Sequence, residues 1–355
     1  MKQISIGPNQ AGQRFDKFLH KYLPEAPGSF LYKMLRKKNI TLNGKKAEGK
    51  EMLRVGDEVK LFFSDETFEK FSGIPVAAST PSAGKSNTDN TAGYQKAFSS
   101  LKGISVIYED AHMVLLNKPV GILTQKASPS DLSLNEWLIG YLLDKEAITP
   151  QELHSFHPSV LNRLDRNTSG LVLCGKSLPG SQEISHMLKS RTVHKFYRTI
   201  AVGEIKKAER IEGFLVKNTG NNTVQILKKP SSQEKPAGDL ICTAYRPLAH
   251  GTYKGQQFTL LEVELITGKT HQIRAHLAST GHPIIGDTKY GKMAINRLFQ
   301  EEFRLSSQLL HAYRLEFPAM EQANVLSECS SHTFIAPLPK QFLKIADCIL
   351  GTADL

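Results

Sequence analysis

Arg163-Leu164-Asp165-Arg166-Asn167-Thr168-Ser169-Gly170 sets one carboxylate between two permanent cations and then runs into the apolar Leu171-Val172-Leu173. That order predicts a loop feeding a strand. A guanidinium close by favours the ionised carboxylate, so Asp165 would serve as a nucleophile, a base or an ion-pair partner rather than an acid. The same residues also suit a surface turn in which Asp165 bonds its own backbone and Gly170 supplies a positive φ angle.

Three other segments could do chemistry. Asn117-Lys118-Pro119-Val120-Gly121 reads as a strand ending in a turn, with Lys118 facing solvent or a phosphate. In Lys195-Phe196-Tyr197-Arg198-Thr199, strand alternation puts Lys195, Tyr197 and Thr199 on one face, as core or as a platform for a base. Thr267-Gly268-Lys269-Thr270-His271-Gln272-Ile273-Arg274-Ala275-His276 reads as a strand turning through Gly268 into a helix capped by Thr270. Thr270 and Arg274 would then share a face, and the Arg274 guanidinium could reach a carboxylate on another loop. His271 and His276 stand about 140° apart around such a helix, so no metal site is expected.

These groups need a scaffold and a partner, and the remaining sequence suggests both. Across 355 residues, 40% hydrophobic and 22% charged content is ordinary for a soluble globular chain, and the length suits two domains. No apolar run is long enough to span a bilayer and no signal-peptide core opens the chain, so a cytoplasmic protein is expected. Cys174, Cys242, Cys329 and Cys348 are scattered, which suggests reduced structural thiols. The net charge of +11 is concentrated: residues 1–63 hold 13 Lys and Arg against 6 Asp and Glu. Such a density of cations suits a polyanion, since each neutralised phosphate releases counterions.

Within that basic segment, Phe30, Leu31, Met34 and Leu35 form a helical apolar stripe with Ser29 as its expected cap and Lys33, Arg36 and Lys37 outside it. Asn43-Gly44 and Gly56-Asp57 predict tight turns between short strands. Residues 67–100, rich in Ser, Thr, Ala, Gly and Asn after position 72, are expected to be a flexible linker, with Ile74, Val76, Tyr94 and Phe98 able to dock at its ends. From 101 to 355, short strands joined by tight turns with helices inserted predict an α+β domain with a largely antiparallel mixed sheet. No phosphate loop or dinucleotide fingerprint follows a strand, and no cofactor is expected.

Residues 1–66 resemble the alpha-L RNA-binding domain first described in ribosomal small-subunit protein S-four, with Arg14, Asp16, Ser29, Arg36, Asn43-Gly44 and Gly56-Asp57 at matching places. The remainder resembles the RluA family of pseudouridine synthases. Arg163-Leu-Asp-x-x-Thr-Ser-Gly, Lys195-x-Tyr197 and Thr267-Gly-Lys-Thr-His-Gln-Ile-Arg274 look like its three motifs. Asn117-Lys-Pro-x-Gly121, Gly286-Asp287-x-x-Tyr290-Gly291 and Leu310-His311-Ala312 follow in family order.

The resemblance implies a cofactor-free isomerisation of uridine in RNA, with RNA, in particular large-subunit ribosomal RNA or a pre-ribosomal particle, as the partner of a monomer. It implies Asp165 as the essential carboxylate, Arg274 as its ion-pair partner, Tyr197 stacked on the uracil and Leu310 lining the base pocket. Arg163 and Lys195 would contact substrate, and Arg14, Lys33, Arg36 and Lys37 would contact RNA. Asn162, where histidine is usual, and Thr199, where alanine is commoner, depart from the pattern, and activity is expected to survive both. Two rival classes fit parts of this sequence: a hydrolase, which lacks a second acid or metal here, and a non-catalytic ribosome-assembly factor, which would not need Asp165, Tyr197 and Arg274 together.

Overall fold

The computed structural model describes residues 1–72, 88–218, 220, 223–227 and 238–351. In the N-terminal part, strand β1 (Lys2–Ser5) precedes helices α1 (Phe15–Tyr22) and α2 (Gly28–Arg36), then β2 (Ile40–Leu42), β3 (Lys45–Lys46), β4 (Glu58–Leu61) and α3 (Asp65–Ser72). The four strands pair in the order β1-β4-β2-β3. Asn43 and Gly44 form the two-residue link between β2 and β3, with φ of 51° and 71°. Two left-handed residues in succession match the strand twist that a hairpin needs, and glycine adopts that backbone without strain.

Phe15, Phe18, Leu19, Leu31, Leu35, Val59 and Leu61 form this part's own core. Phe68 of α3 joins it, and the Phe71 ring lies tilted 4.4 Å from that of Phe30, so α3 packs on this core. The helix expected to be capped by Ser29 starts two residues earlier than that cap implies, at Gly28, with Pro27 at the cap position and no side-chain cap bond. Lys33, Arg36 and Lys37 are exposed, outside the buried Leu31 and Leu35.

Helix α4 (Thr88–Ser100) replaces the second half of the expected linker, while Ile74 and Val76 lie outside the described residues. The partner that orders it lies some forty residues onward. Ala97 is fully buried, and Phe98 packs 5.5 Å from Trp137 of α5 (Leu134–Asp144). A Cβ on Gly140 would meet the Tyr94 carbonyl at 2.3 Å, so only glycine permits this close approach of α4 and α5. The N-terminal unit also touches the rest of the chain directly: Gln10 Nε2 donates to Ser155 Oγ at 2.7 Å, and Gln182 Nε2 to the Gly12 carbonyl at 3.3 Å.

The second part is built on strands β5 (Ser105–Glu109), β6 (Met113–Lys118), β7 (Ser159–Val160), β8 (Ser169–Gly175), β9 (His194–Val202), β10 (Glu209–Asn218), β11 (Thr223–Leu227), β12 (Asp239–Tyr253), β13 (Gln256–Leu265), β14 (Leu310–Glu316) and β15 (Thr333–Ile335). They form one sheet, in the order β11-β10-β12-β13-β9-β14-β8-β6-β5, with β15 on β14 and β7 on β8. Among the described residues every pairing is antiparallel except β14 with β8. This is the α+β architecture expected, with helices α6 (Leu178–Ser190), α7 (Gln272–Ser279), α8 (Met293–Phe303) and α9 (Lys340–Leu350) inserted between strands or following them. One face packs on α5 through Val114, Leu116, Leu138, Leu142 and Val172, and the other buries Ile200, Leu260, Phe299 and Phe342 against α8 and α9.

Two histidines are buried in this scaffold. His311 pairs through Nδ1 with Ser169 Oγ at 2.8 Å, and His276 through Nδ1 with Thr243 Oγ1 at 2.9 Å. Burial pushes each imidazole down to about 4. The unfolded chain therefore takes up these protons first, near pH 6.5, so the stability they contribute is complete above that pH and is lost as pH falls toward 4. At full extent this is about 3 kcal/mol per histidine. Replacing His276 with Gln should flatten the pH dependence of the urea midpoint between pH 7 and 4; an unchanged slope would show that His276 does not titrate there.

Candidate active site

The segment from Arg163 to Thr168 lies between β7 and β8 and is held by the turn that follows β6. Thr124 Oγ1 donates to the Leu164 carbonyl at 2.7 Å and accepts from the Leu164 amide at 3.2 Å. The Arg166 carbonyl accepts from the Gly121 amide at 2.9 Å and from Lys118 Nζ at 3.1 Å. Lys118, expected at the surface, is fully buried, and its ammonium also donates to the carbonyls of Pro119 and Ile122. Burial pushes Lys118 down to about 7, with the charge of Asp165 working in the opposite direction. The side chain is therefore an internal clamp on the loop. Gly170 closes the segment at φ 111°, and a Cβ there would meet the Ala312 carbonyl at 2.1 Å. This lets β14 run against β8.

Asp165 faces the start of α7. That helix begins one residue later than a Thr270 cap implies: His271 occupies the cap position with φ 54°, without a side-chain cap bond, so Thr270 lies before the helix. Gln272 does the anchoring. Its Oε1 accepts from Thr267 Oγ1 and the Lys269 amide, and its Nε2 donates to the Cys242 carbonyl and Thr243 Oγ1, all within 3.1 Å. A buried amide with every bond satisfied fixes the first turn on β12. Arg274 is thereby presented to Asp165, with Nη1 2.8 Å from Oδ2.

Arg274 is held from behind by Asp287, which the sequence reading did not single out. Nε and Nη2 of Arg274 donate to the two Asp287 oxygens at 2.7 and 2.9 Å, a bidentate pair. Asp287 is 1% exposed and also accepts from the amides of Lys289 and Tyr290. Burial opposes both charges, yet Arg274 and these amides hold Asp287 below the ordinary carboxylate range. Burial likewise works against the Arg274 charge, and the bonds and charges of Asp287 and then Asp165 raise it above the ordinary arginine value. The signal for Asp287 lay in the Gly286-Asp287-x-x-Tyr290-Gly291 run, whose turn supplies its two amide donors.

Asp165, Tyr197 and Arg274 meet in a cleft of about 750 Å³ that Arg163 and Lys195 also line. Leu310 lines a smaller cavity that continues it beside Tyr197. Arg163 is exposed at the rim. Tyr197 is buried, and burial, followed by the charge of Asp165, raises its phenol well above the ordinary value. Lys195 has no hydrogen-bond or ion-pair partner among the described residues, and burial, followed by Arg191, lowers its ammonium against the pull of Glu264. Lys195 and Tyr197 share a face of β9, as alternation requires, and β14 brings Leu310 beside them.

Of the residues that depart from the family pattern, Asn162 lines the cleft and Thr199 is buried, and each holds a main-chain group. Asn162 Oδ1 accepts from the Leu173 amide at 2.7 Å, and Thr199 Oγ1 donates to the Leu309 carbonyl at 2.8 Å. Arg14, Lys33, Arg36 and Lys37 belong to the N-terminal unit and do not line the cleft; Arg14 is paired with Asp16 at 2.6 Å. Among the described residues no group of three or more His, Cys, Asp or Glu side chains could hold a metal ion, and no helix is long and apolar enough to cross a membrane.

A largely antiparallel sheet, with a salt-bridged carboxylate and a buried tyrosine facing one open cleft, suits an enzyme that works on a base brought out of a nucleic acid. The comparisons agree. A family model described as RNA pseudouridylate synthase matches residues 112–279. The chain is 30% identical over 315 residues to the ribosomal large subunit pseudouridine synthase C of Vibrio parahaemolyticus, covering 88% of this chain and 87% of that one. It is 27% identical to the enzyme of the same name from Escherichia coli, over 89% and 88% of the two chains. A tRNA pseudouridine synthase C of Vibrio cholerae is 32% identical over 60% of this chain and 85% of its own.

Among solved structures, human RNA pseudouridylate synthase domain containing 4 superposes with a TM-score of 0.52 at 21% identity, over 73% of this chain and 97% of that chain. That similarity supports the fold. The chain belongs to the RluA family of RNA pseudouridylate synthases and is an isomerase acting on uridine in RNA.

Proposed function

We propose that this enzyme converts particular uridines of large-subunit ribosomal RNA to pseudouridine, with Asp165 as the reacting carboxylate. The observation that carries this reading is the Asp287–Arg274–Asp165 chain, which fixes one carboxylate oxygen 2.8 Å from a buried guanidinium, in the same cleft as Tyr197. The target nucleotide leaves its stack to enter the cleft, at a cost of a few kcal/mol that is least at unpaired sites. Tyr197 and Leu310 offer the uracil an apolar wall, and Arg163 stands at the rim where the emptied position or a phosphate would lie. The Lys195 ammonium, unpaired among the described residues and partly desolvated, suits a phosphate or a uracil carbonyl. The carboxylate then either attacks the nucleotide or removes a ribose proton; both roles need it ionised and held.

The N-terminal unit, residues 1–72, is proposed to grip RNA at a distance from the cleft through Arg14, Lys33, Arg36 and Lys37. Their contribution would be electrostatic, independent of sequence and lost at high salt. Large-subunit relatives that match over nearly the whole chain support ribosomal RNA over tRNA, whose similar enzyme matches only 60% of this chain.

The test is tritium release from ring-5-labelled uridine, with large-subunit ribosomal RNA and bulk tRNA in parallel. Release from the ribosomal RNA, with pseudouridine mapped at fixed positions, is expected. Release only from tRNA would overturn the substrate assignment, free uracil would indicate a glycosidase, and tight binding with no release would favour an assembly factor.

A further inference from the structure

His271 has a backbone and a set of partners that its place in a helix-start motif does not explain. It holds a left-handed conformation, φ 54°, which is strained for a side-chain-bearing residue and persists only where the surroundings impose it. The side chain is 8% exposed, lines the cleft and points Nε2 toward Asp165. Its Nδ1 lies 3.0 Å from the Tyr290 hydroxyl, which accepts the Val224 amide at 2.8 Å.

The tautomer follows from charge. Burial lowers the imidazole from its ordinary value against the pull of Asp165, and Arg274 and Lys289 add to the lowering, which favours the neutral ring. Of the two neutral forms, the one with its proton on Nε2 turns an N–H toward the Asp165 carboxylate, and the other turns a lone pair toward it. The first is favoured. It is completed by the Tyr290 hydroxyl, which donates to Nδ1 while accepting from Val224.

Nε2 lies 3.9 Å from Asp165 Oδ2. This is too far for a hydrogen bond but fits a single oxygen set about 2.8 Å from each atom, at an angle of about 90°. Such an oxygen must accept from the imidazole N–H and donate to the carboxylate. Among the oxygens of a nucleotide, a uracil carbonyl or an ionised phosphate oxygen cannot donate, whereas a hydroxyl does both. The hydroxyl next to the reacting carbon of a nucleotide is the ribose 2′-OH.

We infer that His271 is a specificity-determining residue that, together with Asp165, brackets the 2′-hydroxyl of the target nucleotide, so that the site accepts ribonucleotides and rejects their 2′-deoxy counterparts. The inference rests on Asp165 being the reacting carboxylate of the proposed function. The 2′-hydroxyl is the chemical feature that distinguishes RNA from DNA at a single position. Here it is read at the reacting nucleotide itself, and Tyr290 holds the reader in place.

The experiment is a cycle between protein and substrate. The probe is large-subunit ribosomal RNA assembled by splint ligation, carrying ring-5-tritiated uridine, 2′-deoxyuridine or 2′-fluorouridine at a position that the wild-type enzyme modifies. Wild type is expected to lose about 10- to 100-fold in kcat/KM on both analogues, the worth of a hydrogen bond to a charged group. His271→Ala should lose a similar factor on uridine and change by less than about threefold on 2′-deoxyuridine. His271→Asn, whose residue type tolerates the left-handed backbone, guards against a folding defect and should show the same pattern.

Equal losses on all substrates in the variants, or no wild-type discrimination against 2′-deoxyuridine, would overturn the inference. An inactive wild type on every RNA would instead remove the functional reading beneath it.

Discussion

Asp165→Asn folds, binds RNA and releases tritium from ring-5-labelled uridine at least about 10⁴-fold more slowly than wild type, the scale on which loss of a reacting group is felt. The substitution is nearly isosteric and removes the charge and the nucleophilic or basic oxygen together. Stability should change by only about 1 kcal/mol, because Asp165 is a quarter exposed and Arg274 keeps its bidentate bond to Asp287. RNA affinity should hold within a few fold, since Arg14, Lys33, Arg36 and Lys37 lie outside the cleft. Measuring turnover, melting temperature and filter binding on one preparation separates the three effects. Activity above about a tenth of wild type would sink the assignment, because an amide can neither attack nor take the proton.

What the sequence disclosed about this site depended on the distance over which each residue is held. The Asn43-Gly44 hairpin, the buried stripe of α2 and the alternation that puts Lys195 and Tyr197 together are local, and each was legible. Positions 165, 197 and 274 precede, lie on and follow strands that are neighbours only in the sheet order β8-β14-β9-β13, and no periodicity reports that order. The family motifs supplied the roster of residues there, without the geometry.

The misreadings share a cause: a partner distant in sequence overrode local preference. Helix α4 lacks an amphipathic pattern and is ordered by Trp137 and Gly140 of α5. Lys118, polar by type, is buried because three main-chain carbonyls from two segments converge on its ammonium. Thr270 is a good cap by residue type, yet the Gln272 side chain anchors the turn and leaves the cap position to His271.

Breaking the Arg274–Asp287 pair should separate stability from activity. Asp287→Asn leaves the Arg274 guanidinium, 5% exposed, with an amide where a carboxylate stood and Asp165 as its remaining charged partner, so the loss should lie near the lower end of the about 3–5 kcal/mol that breaking a buried ion pair costs. Arg274→Met strands the Asp287 charge, with the Lys289 and Tyr290 amides still donating to it. In the double variant Arg274→Met, Asp287→Asn, neither charge remains buried, so its loss of stability in urea should be smaller than the sum of the single losses by about 2 kcal/mol or more. Activity should not recover with it. Without Arg274, Asp165 loses the 2.8 Å bond that orients it, and without Asp287 the guanidinium loses the fork that aims it, a misplacement on the order of 100-fold in rate even where the chain folds. A double variant that regained tritium release along with stability would mean that the pair supports the fold alone and that Asp165 is oriented by something else. If the single losses were additive in stability, the two side chains would not be coupled as their bidentate geometry requires.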